Sequence, residues 1–277
     1  MPILYIAIPV LLLLVGWMLL IAPSNKKEME SFKKIRYAHR GLHGEADGVF
    51  AAENSMTAFA RAADAGFGIE LDVRASKDGV LMVFHDATLD RVTGVTGKVG
   101  DKTADELRAL SLLGTSDGVP TFADVLELVD GRVPLLVEIK PEGAGQLAAE
   151  LTAEALASYS GPYIVESFNP LALGVIKKKL PGAMRGFLSD KLTANEKYRS
   201  FKHRIAQRCL LNFIARPAFI SANKDRIRLF PLPIIRHLFR TPFIAWTVKS
   251  AEEERAAYEN GFDGVIFEDY IPGETEK

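Results

Sequence analysis

The residues best suited to chemistry in this chain come as short alternating sets. Glu70 and Asp72 sit in the run GIELDV, Glu138 and Lys140 in LLVEIK, His39 and Arg40 in YAHRG, and His85 in VFHD. Residues two apart in a strand face the same way, so each pair puts charge on a face that an ordinary buried strand keeps apolar. Three inward carboxylates repel one another and are costly to desolvate, so they need a counter-charge. One divalent cation supplies it. Oxygen-only ligands from Glu70, Asp72 and Glu138 select a hard ion, Mg²⁺ or Ca²⁺, with positions left open for water and substrate. Arg40 and Lys140 then turn the site net positive, which suits an anionic phosphodiester. His39 and His85 remain for proton transfer, one to activate a nucleophile and one to protonate a leaving alkoxide.

These residues need a scaffold that gathers strand ends. Eight β-rich runs, at 36–39, 69–73, 135–139, 163–166, 185–188, 218–221, 243–247 and 264–267, alternate with helical patterns such as SMTAFARAADAG, TFADVLELVDG, GQLAAELTAEALASY and SAEEERAAYENG. The first of these helices has Asn54 or Ser55 as its N-cap and Gly66 as its stop. The alternation predicts a closed (β/α)₈ TIM barrel, whose active site lies at the C-terminal strand ends. The charged sets all fall there. Two stretches break the pattern. Too few residues separate Asp72 from Val80 for a crossover helix, so the chain turns at Asp78-Gly79 and returns antiparallel, with His85 about opposite Leu71. Residues 86–119 are turn-rich with one helical piece, TADELRALSL, and read as a small insertion over the barrel mouth.

The flanks suggest where the barrel works. Residues 3–22 are apolar and uncharged, and about 20 helical residues match a hydrocarbon core of about 30 Å. Residues 1–23 are therefore expected to form a single transmembrane anchor, residues 24–34 a polar linker, and residues 35–277 the catalytic domain. The segment lacks the basic start and small-residue cleavage site of a signal peptide. Lys26, Lys27, Lys33, Lys34 and Arg36 follow it, which puts the barrel on the cytoplasmic side. The lone Cys209 excludes an internal disulfide framework and reads as a buried structural thiol. Between Lys177 and Arg240 stand 16 Lys or Arg against three acidic residues. That stretch is either a solvated helix face or a surface for anionic lipid. No nucleic-acid fold signature accompanies it, so nucleic acid is not expected as a partner.

The ordered set HRG, ENS before TAF, GIELDVRASKDGVLMVFHDATLDRVTG and LLVEIKPEG, with weaker echoes in ESFNP, AWTV and GFDGVIFED, resembles the glycerophosphodiester phosphodiesterase family over nearly everything after residue 36. The resemblance implies a (β/α)₈ barrel with an insertion after the histidine hairpin, and hydrolysis of glycerophosphodiesters to an alcohol and sn-glycerol 3-phosphate. It carries His39 and His85 over as the acid/base pair, Glu70, Asp72 and Glu138 as ligands of one divalent cation, and Arg40 and Lys140 as phosphate contacts. It also implies attack by the neighbouring glycerol hydroxyl, giving a cyclic phosphate that water then opens. Glu53, with Asn54 beside it, is expected to support the site from behind by orienting Arg40 or His39. Trp246 is expected to line the alcohol pocket. Ala52 stands where the family usually has Pro, Lys249 where it usually has Asn, and FEDY departs from its usual ending. His43, His203 and His237 lack motif support and read as surface residues.

Two other functions compete with this one. A lysophospholipase D acting on membrane lipids would use the same barrel, with a lysolipid in place of a water-soluble diester. A non-catalytic, membrane-tethered binding module would have lost a histidine or a carboxylate, and none is missing. Each site residue has a plainer alternative: a surface-edge pair for Glu70 and Asp72, an exposed strand-end charge for Lys140, and a turn histidine satisfied by Asp86 for His85. All of these residues fall at one end of one sheet, which counts against the plainer readings together.

Overall fold

The structure is a computed structural model that describes residues 2–24, 27–46, 48–140, 146–190 and 208–273. Strands β1 (Arg36–Ala38), β4 (Gly68–Ala75), β6 (Leu135–Ile139), β7 (Tyr163–Ser167), β8 (Met184–Ser189), β9 (Phe219–Asn223), β10 (Phe243–Val248) and β11 (Gly264–Phe267) pair in parallel. A final β1–β4 pairing closes the ring, so the eight expected strands form the expected barrel. Between β1 and β4, a short antiparallel pair, β2 (Gly44–Ala46) and β3 (Val49–Ala51), is tied down by Arg61, whose guanidinium donates to the Gly44 and Val49 carbonyls. Sequence periodicity had given no sign of this pair, which is only three residues on each side.

Alternation along the strands sorts the core. Ile69, Leu71 and Val73, with Leu135, Val137 and Ile139, point outward and pack against helices α2 (Met56–Asp64), α5 (Phe122–Val129), α6 (Gln146–Ala157) and α7 (Pro170–Lys179). Their neighbours point into the bore. At its base Tyr37, Leu136, Ile164, Phe219, Ile244 and Ile266 form an apolar plug, and above it lie Glu70, Asp72, Glu138 and Glu166, all buried. Gly186 makes the plug possible, because a Cβ there would lie 2.1 Å from the Phe219 ring. Ser55 caps α2, its hydroxyl accepting from the Ala58 N–H, as the sequence suggested.

The hairpin after β4 forms as expected. Strand β5 (Leu81–Val83) returns antiparallel with Val73 opposite Val83, a register that brings His85 level with Leu71. Residues 86–119 follow as short pieces, α3 (Asp90–Thr93), a 3₁₀ turn at Val99–Asp101 and α4 (Ala104–Arg108), around their own small core of Leu89, Val92, Val99, Leu107 and Leu112.

The N-terminal flank departs from expectation. Helix α1 (Pro2–Ile21) forms, but its end is part of the folded domain. Trp17 stacks on Phe230 with ring centroids 5.5 Å apart, Ile21 is fully buried, and the Asn212 side chain donates to the Ile21 carbonyl. Asn212 belongs to α8 (Asn212–Ala215), and Phe230 precedes α9 (Leu232–Phe239). That leaves Tyr5 to Gly16 as a continuously exposed stretch, about 18 Å of helix at about 1.5 Å per residue against the roughly 30 Å of a hydrocarbon core. Among the described residues no helix is long and apolar enough to cross a membrane, so the expected transmembrane span is not part of the fold described. The expected linker is also built in: Lys27–Phe32 forms a 3₁₀ helix whose Met29 is buried in the apolar plug.

Parts of the basic stretch 177–240 are structural. Arg185 is buried, donating to the Ala215 and Ala183 carbonyls, and Lys177 donates to the Ile214 carbonyl. Residues 191–207 of that stretch, with His203 among them, lie outside the described residues, as do Lys26 and residues 141–145. Cys209 is buried as expected, and burial pushes its thiol up to about 12, leaving it unreactive.

The plug makes a direct prediction. Gly186→Ala should destabilise the domain by about 1–3 kcal/mol through overpacking, read as a lower urea midpoint. Phe219→Leu in the same chain should recover part of the loss, and no recovery would mean that the Phe219 contact is not the cause.

Candidate active site

The turn after β1 is built to present His39 and Arg40. The His39 N–H donates to the Phe267 carbonyl on β11, continuing the sheet. Arg40 (φ 57°) and Gly41 (φ 81°) then take left-handed conformations, which reverse the chain over α2. A side chain at Gly41 would meet Ala58 at 2.9 Å. The turn lets the Arg40 N–H donate to Glu70 Oε2 at 2.9 Å while its guanidinium Nη1 donates to Glu53 Oε1 at 2.8 Å. Asn54 locks the arrangement: its N–H donates to the Arg40 carbonyl, and its side-chain amide donates to Asp72 Oδ2 at 2.9 Å. Glu53 and Asn54 thus stand behind Arg40 and Asp72.

Strands β4, β6 and β7 supply the acids. In the barrel register Asp72, Glu138 and Glu166 are successive partners, with Glu70 one inward step below Asp72. Lys140 Nζ bridges Asp72 Oδ1 and Glu138 Oε1, each at 2.8 Å, and Arg40 Nε lies 3.4 Å from Asp72 Oδ2. Asp72 therefore spends both oxygens on protein partners. Burial alone would raise its pKa, but Lys140, His85 and Arg40 outweigh burial and hold it well below the usual carboxylate range. The other three lack enough positive neighbours. Burial pushes Glu70, Glu138 and Glu166 up; Asp72 adds to it at Glu70, Glu138 adds to it at Glu166, and Lys140 offsets part of it at Glu138.

Oxygens of Glu70, Glu138 and Glu166 lie within 4.8 Å of one another, and Glu166 Oε2 is buried without a hydrogen-bond partner. Converging carboxylate oxygens with an orphaned acceptor among them fit a hard divalent cation. Glu70 and Glu138 of the expected set converge there, with Asp72 beside them on Lys140, and Glu166 faces the same point from β7.

Each histidine has a carboxylate beside it, and His85 is hydrogen-bonded to its own. His85 Nδ1 lies 2.7 Å from Asp86 Oδ1, Asp86 Oδ2 accepts from Arg91 Nε at 2.6 Å, and the His85 carbonyl is clamped by Arg74 Nε and Nη2. Arg91 reaches on to both oxygens of Glu53 at 2.7 Å. A proton on Nδ1 shared with Asp86 leaves Nε2 of His85 as the free basic atom. His39 Nδ1 lies 3.4 Å from Glu268 Oε2, and its Nε2 lies 4.0 Å from Glu70 Oε2. Burial lowers both histidines below their ordinary range, against the opposing pull of Glu268 on His39 and of Asp72 on His85.

One cavity of about 160 Å³ at the C-terminal mouth is lined by His39, Arg40, Glu70, His85, Glu138, Lys140 and Glu166, with Phe168, Leu188 and Trp246 on its apolar side. Trp246 meets Phe168 edge-on at 5.9 Å, and its buried indole Nε1 has no hydrogen-bond partner among the described residues. The predicted residues thus converge on one cavity or stand directly behind it.

Sequence reasoning missed Glu166, Arg91, Arg74 and Glu268, and weighed Asp86 only as the partner of a plain turn histidine. Glu166 was legible, since it ends an alternating strand one register step from Glu138. Arg91 and Glu268 reach the site by tertiary contacts that no local spacing encodes. His43, expected at the surface, is instead half-buried with Nε2 3.3 Å from Glu268 Oε1, and His237 is exposed as expected. Lys249 pairs with Glu268 and Asp269 rather than reaching the cavity.

Comparison with known proteins agrees with this geometry. The sequence pattern of the Glycerophosphoryl diester phosphodiesterase family matches residues 39–271. A glycerophosphodiester phosphodiesterase of Caldanaerobacter subterraneus is 30% identical over 251 residues, covering 86% of this chain and 95% of that one. The crystal structure of a glycerophosphodiester phosphodiesterase from Thermotoga maritima superposes with a TM-score of 0.62 at 27% identity, covering 85% of this chain and 95% of that one. An Oleispira antarctica phosphodiesterase in complex with the product sn-glycerol-3-phosphate shares the fold, with a TM-score of 0.70 at 23% identity over 86% of this chain and 94% of that one.

The crowded carboxylates give a pH dependence with a definite sign. Raised carboxyls stabilise the metal-free fold at low pH, and that contribution is lost as pH rises through their folded values. Lowered histidines contribute above about 6.5 and lose that contribution as pH falls. A cation takes the place of the carboxyl protons, so Ca²⁺ should raise Tm more at pH 8 than at pH 6 in thermal scans. Equal shifts at the two pH values would mean that these carboxylates do not hold the ion.

Proposed function

This chain belongs to the glycerophosphoryl diester phosphodiesterase family and is a glycerophosphodiester phosphodiesterase, and from that premise we propose how its own residues carry out the reaction. The observation that carries the reading is the shared cavity: both histidines, the converging carboxylates, Arg40 and Lys140 line one space at the barrel mouth. The substrate is a glycerophosphodiester, and the phosphodiester anion is held by Arg40 and Lys140. Glu70 and Glu138, with Asp72 beside them, would hold a divalent cation, which would supply positive charge toward the phosphoryl oxygens. Whether the ion is Mg²⁺ or Ca²⁺ is decided by how many carboxylates take part.

One histidine takes the proton of the neighbouring glycerol hydroxyl as that oxygen attacks phosphorus. The other gives a proton to the departing alcohol oxygen, so the P–O bond breaks without releasing a free alkoxide. Water then opens the cyclic phosphate with the two histidines exchanging roles, leaving sn-glycerol 3-phosphate. His85 suits this exchange because Asp86 and Arg91 hold its ring by Nδ1 and leave Nε2 toward the cavity. Glu268 stands 3.4 Å from His39 Nδ1, where it favours the protonated ring. Trp246 and Phe168 are the apolar wall against which the departing alcohol rests.

The test is release of sn-glycerol 3-phosphate from glycerophosphocholine and glycerophosphoethanolamine, with EDTA and with Mg²⁺ or Ca²⁺ restored. His39→Ala and His85→Ala should each lower kcat by about 10²–10⁴-fold without unfolding the chain, and EDTA should abolish release. Full activity in either variant would remove that histidine from the mechanism.

A second reading concerns where the enzyme works. The exposed apolar face Tyr5–Gly16 projects from a helix whose other end is fixed to the barrel, and an apolar surface of this kind suits a lipid layer. The exposed Lys27 and Lys34 that follow it suit anionic lipid headgroups, which are concentrated in the cytoplasmic leaflet. A chain lacking residues 1–14 keeps Trp17 and Ile21, so it should fold and lose sedimentation with liposomes. Unchanged sedimentation would remove this reading. Comparing lysophosphatidylcholine with glycerophosphocholine as substrates then separates a lysophospholipase D from an enzyme of soluble diesters.

A further inference from the structure

We propose that Glu166 is itself a ligand of the divalent cation, and that the added carboxylate biases the site toward Ca²⁺ over Mg²⁺. The inference rests on the cation site proposed above and concerns a residue outside the Glu70, Asp72 and Glu138 set.

Glu166 ends the inward row of β7 as the register partner of Glu138, with Ile164 below it in the apolar plug. It is 1% exposed, Oε2 has no hydrogen-bond partner among the described residues, and the Ser221 hydroxyl beside the carboxylate offsets only part of its burial. Leaving a carboxylate oxygen buried and unpaired is costly, and no neighbouring cation is placed to relieve it: Lys140 is committed to Asp72 and Glu138, and Arg40 to Glu53 and Asp72. The groups toward which Glu166 does converge are Glu70 and Glu138, within 4.8 Å. Carboxylates that approach one another inside a cavity are reconciled by a cation shared between them.

The number of donors speaks to which cation. Ca²⁺ accepts six to eight oxygens at variable geometry, while Mg²⁺ keeps several waters and takes one or two carboxylates. Glu70, Glu138 and Glu166 together, with Asp72 adjacent, exceed what Mg²⁺ ordinarily takes. Glu166 also changes the charge of the site. Three carboxylates with Arg40, Lys140 and the ion sum to a single positive charge, whereas a fourth ionised carboxylate brings the sum to zero.

The experiment is calorimetric titration of the full chain with Ca²⁺ and with Mg²⁺ in the absence of substrate, comparing wild type, Glu166→Gln and Glu70→Gln. Terbium, a Ca²⁺ substitute whose emission is excited through nearby tryptophan, gives a second reading, because Trp246 lines the same cavity. Glu166→Gln should weaken Ca²⁺ binding by about tenfold or more, weaken Mg²⁺ less, and lower the terbium emission at a fixed concentration. Ca²⁺ affinity within twofold of wild type, in a variant with unchanged circular dichroism, overturns the inference. If Glu70→Gln loses Ca²⁺ while Glu166→Gln retains it, the cation site stands and only the role of Glu166 fails. Absence of Ca²⁺ and Mg²⁺ binding by the wild type overturns both readings. Should Glu166→Gln not fold, Glu166→Asp withdraws the carboxylate by one methylene: a lower Ca²⁺ to Mg²⁺ affinity ratio supports the assignment, and an unchanged ratio overturns it.

Discussion

Four carboxylates buried within reach of one another, with a single lysine and a single arginine among them, is the constraint that the rest of this molecule accommodates. Lys140 bridges Asp72 and Glu138, and Arg40 spans Asp72 and Glu53. Those pairings satisfy Asp72 and leave Glu70, Glu138 and Glu166 pushed toward their neutral forms by burial and mutual repulsion. An apolar pocket would expel such a cluster to solvent, and here the closed sheet prevents it. Strand register sets the positions of β4, β6 and β7, and the apolar plug beneath stops the side chains from sinking further into the bore. The fold therefore holds charge in place that would otherwise disperse, and that is what readies it for a cation and an anion together.

The supports of the site form rings rather than single contacts. His85 leans on Asp86, Asp86 on Arg91, Arg91 on Glu53, and Glu53 on Arg40, which returns to Asp72. On the opposite side Glu268 gathers His39, His43 and Lys249. His85 thus has Nδ1 occupied by a carboxylate that is itself fixed by Arg91, a condition under which ring orientation is set before substrate arrives, and His39 has Glu268 at ion-pair distance. Left-handed Arg40 and Asn54 are the local strain that this arrangement retains.

Much of this was legible in the sequence, for reasons that can be named. β-rich runs alternating with helical patterns located all eight barrel strands, and two-residue spacing located the charged pairs because the bore-facing positions here are polar near the mouth. The hairpin was forced by chain length between Asp72 and Val80. Glu166 could have been found by counting register from Glu138, but it ends a strand without a motif partner such as Lys140. Arg91, Glu268 and the β2–β3 pair were hidden because their meaning lies in contacts between segments far apart in the chain. The apolar N-terminus shows the opposite failure. Its composition indicated a membrane span, yet composition cannot reveal that Trp17 and Ile21 are spent on the barrel.

The position of Arg91 bears on how barrels of this kind diversify. Residues 86–119 gather around a small apolar core that they share with Ala52, Met82 and Phe84 outside the segment, so they are only partly exchangeable as a cassette. Arg91 belongs to that cassette but braces Glu53 and Asp86, on which the catalytic mouth depends. Any graft of a foreign insertion onto this scaffold must therefore bring a guanidinium to the same place as well as apolar side chains to cover Met82 and Phe84, so recombination at this junction is limited by chemistry at named positions as well as by the length of the segment exchanged.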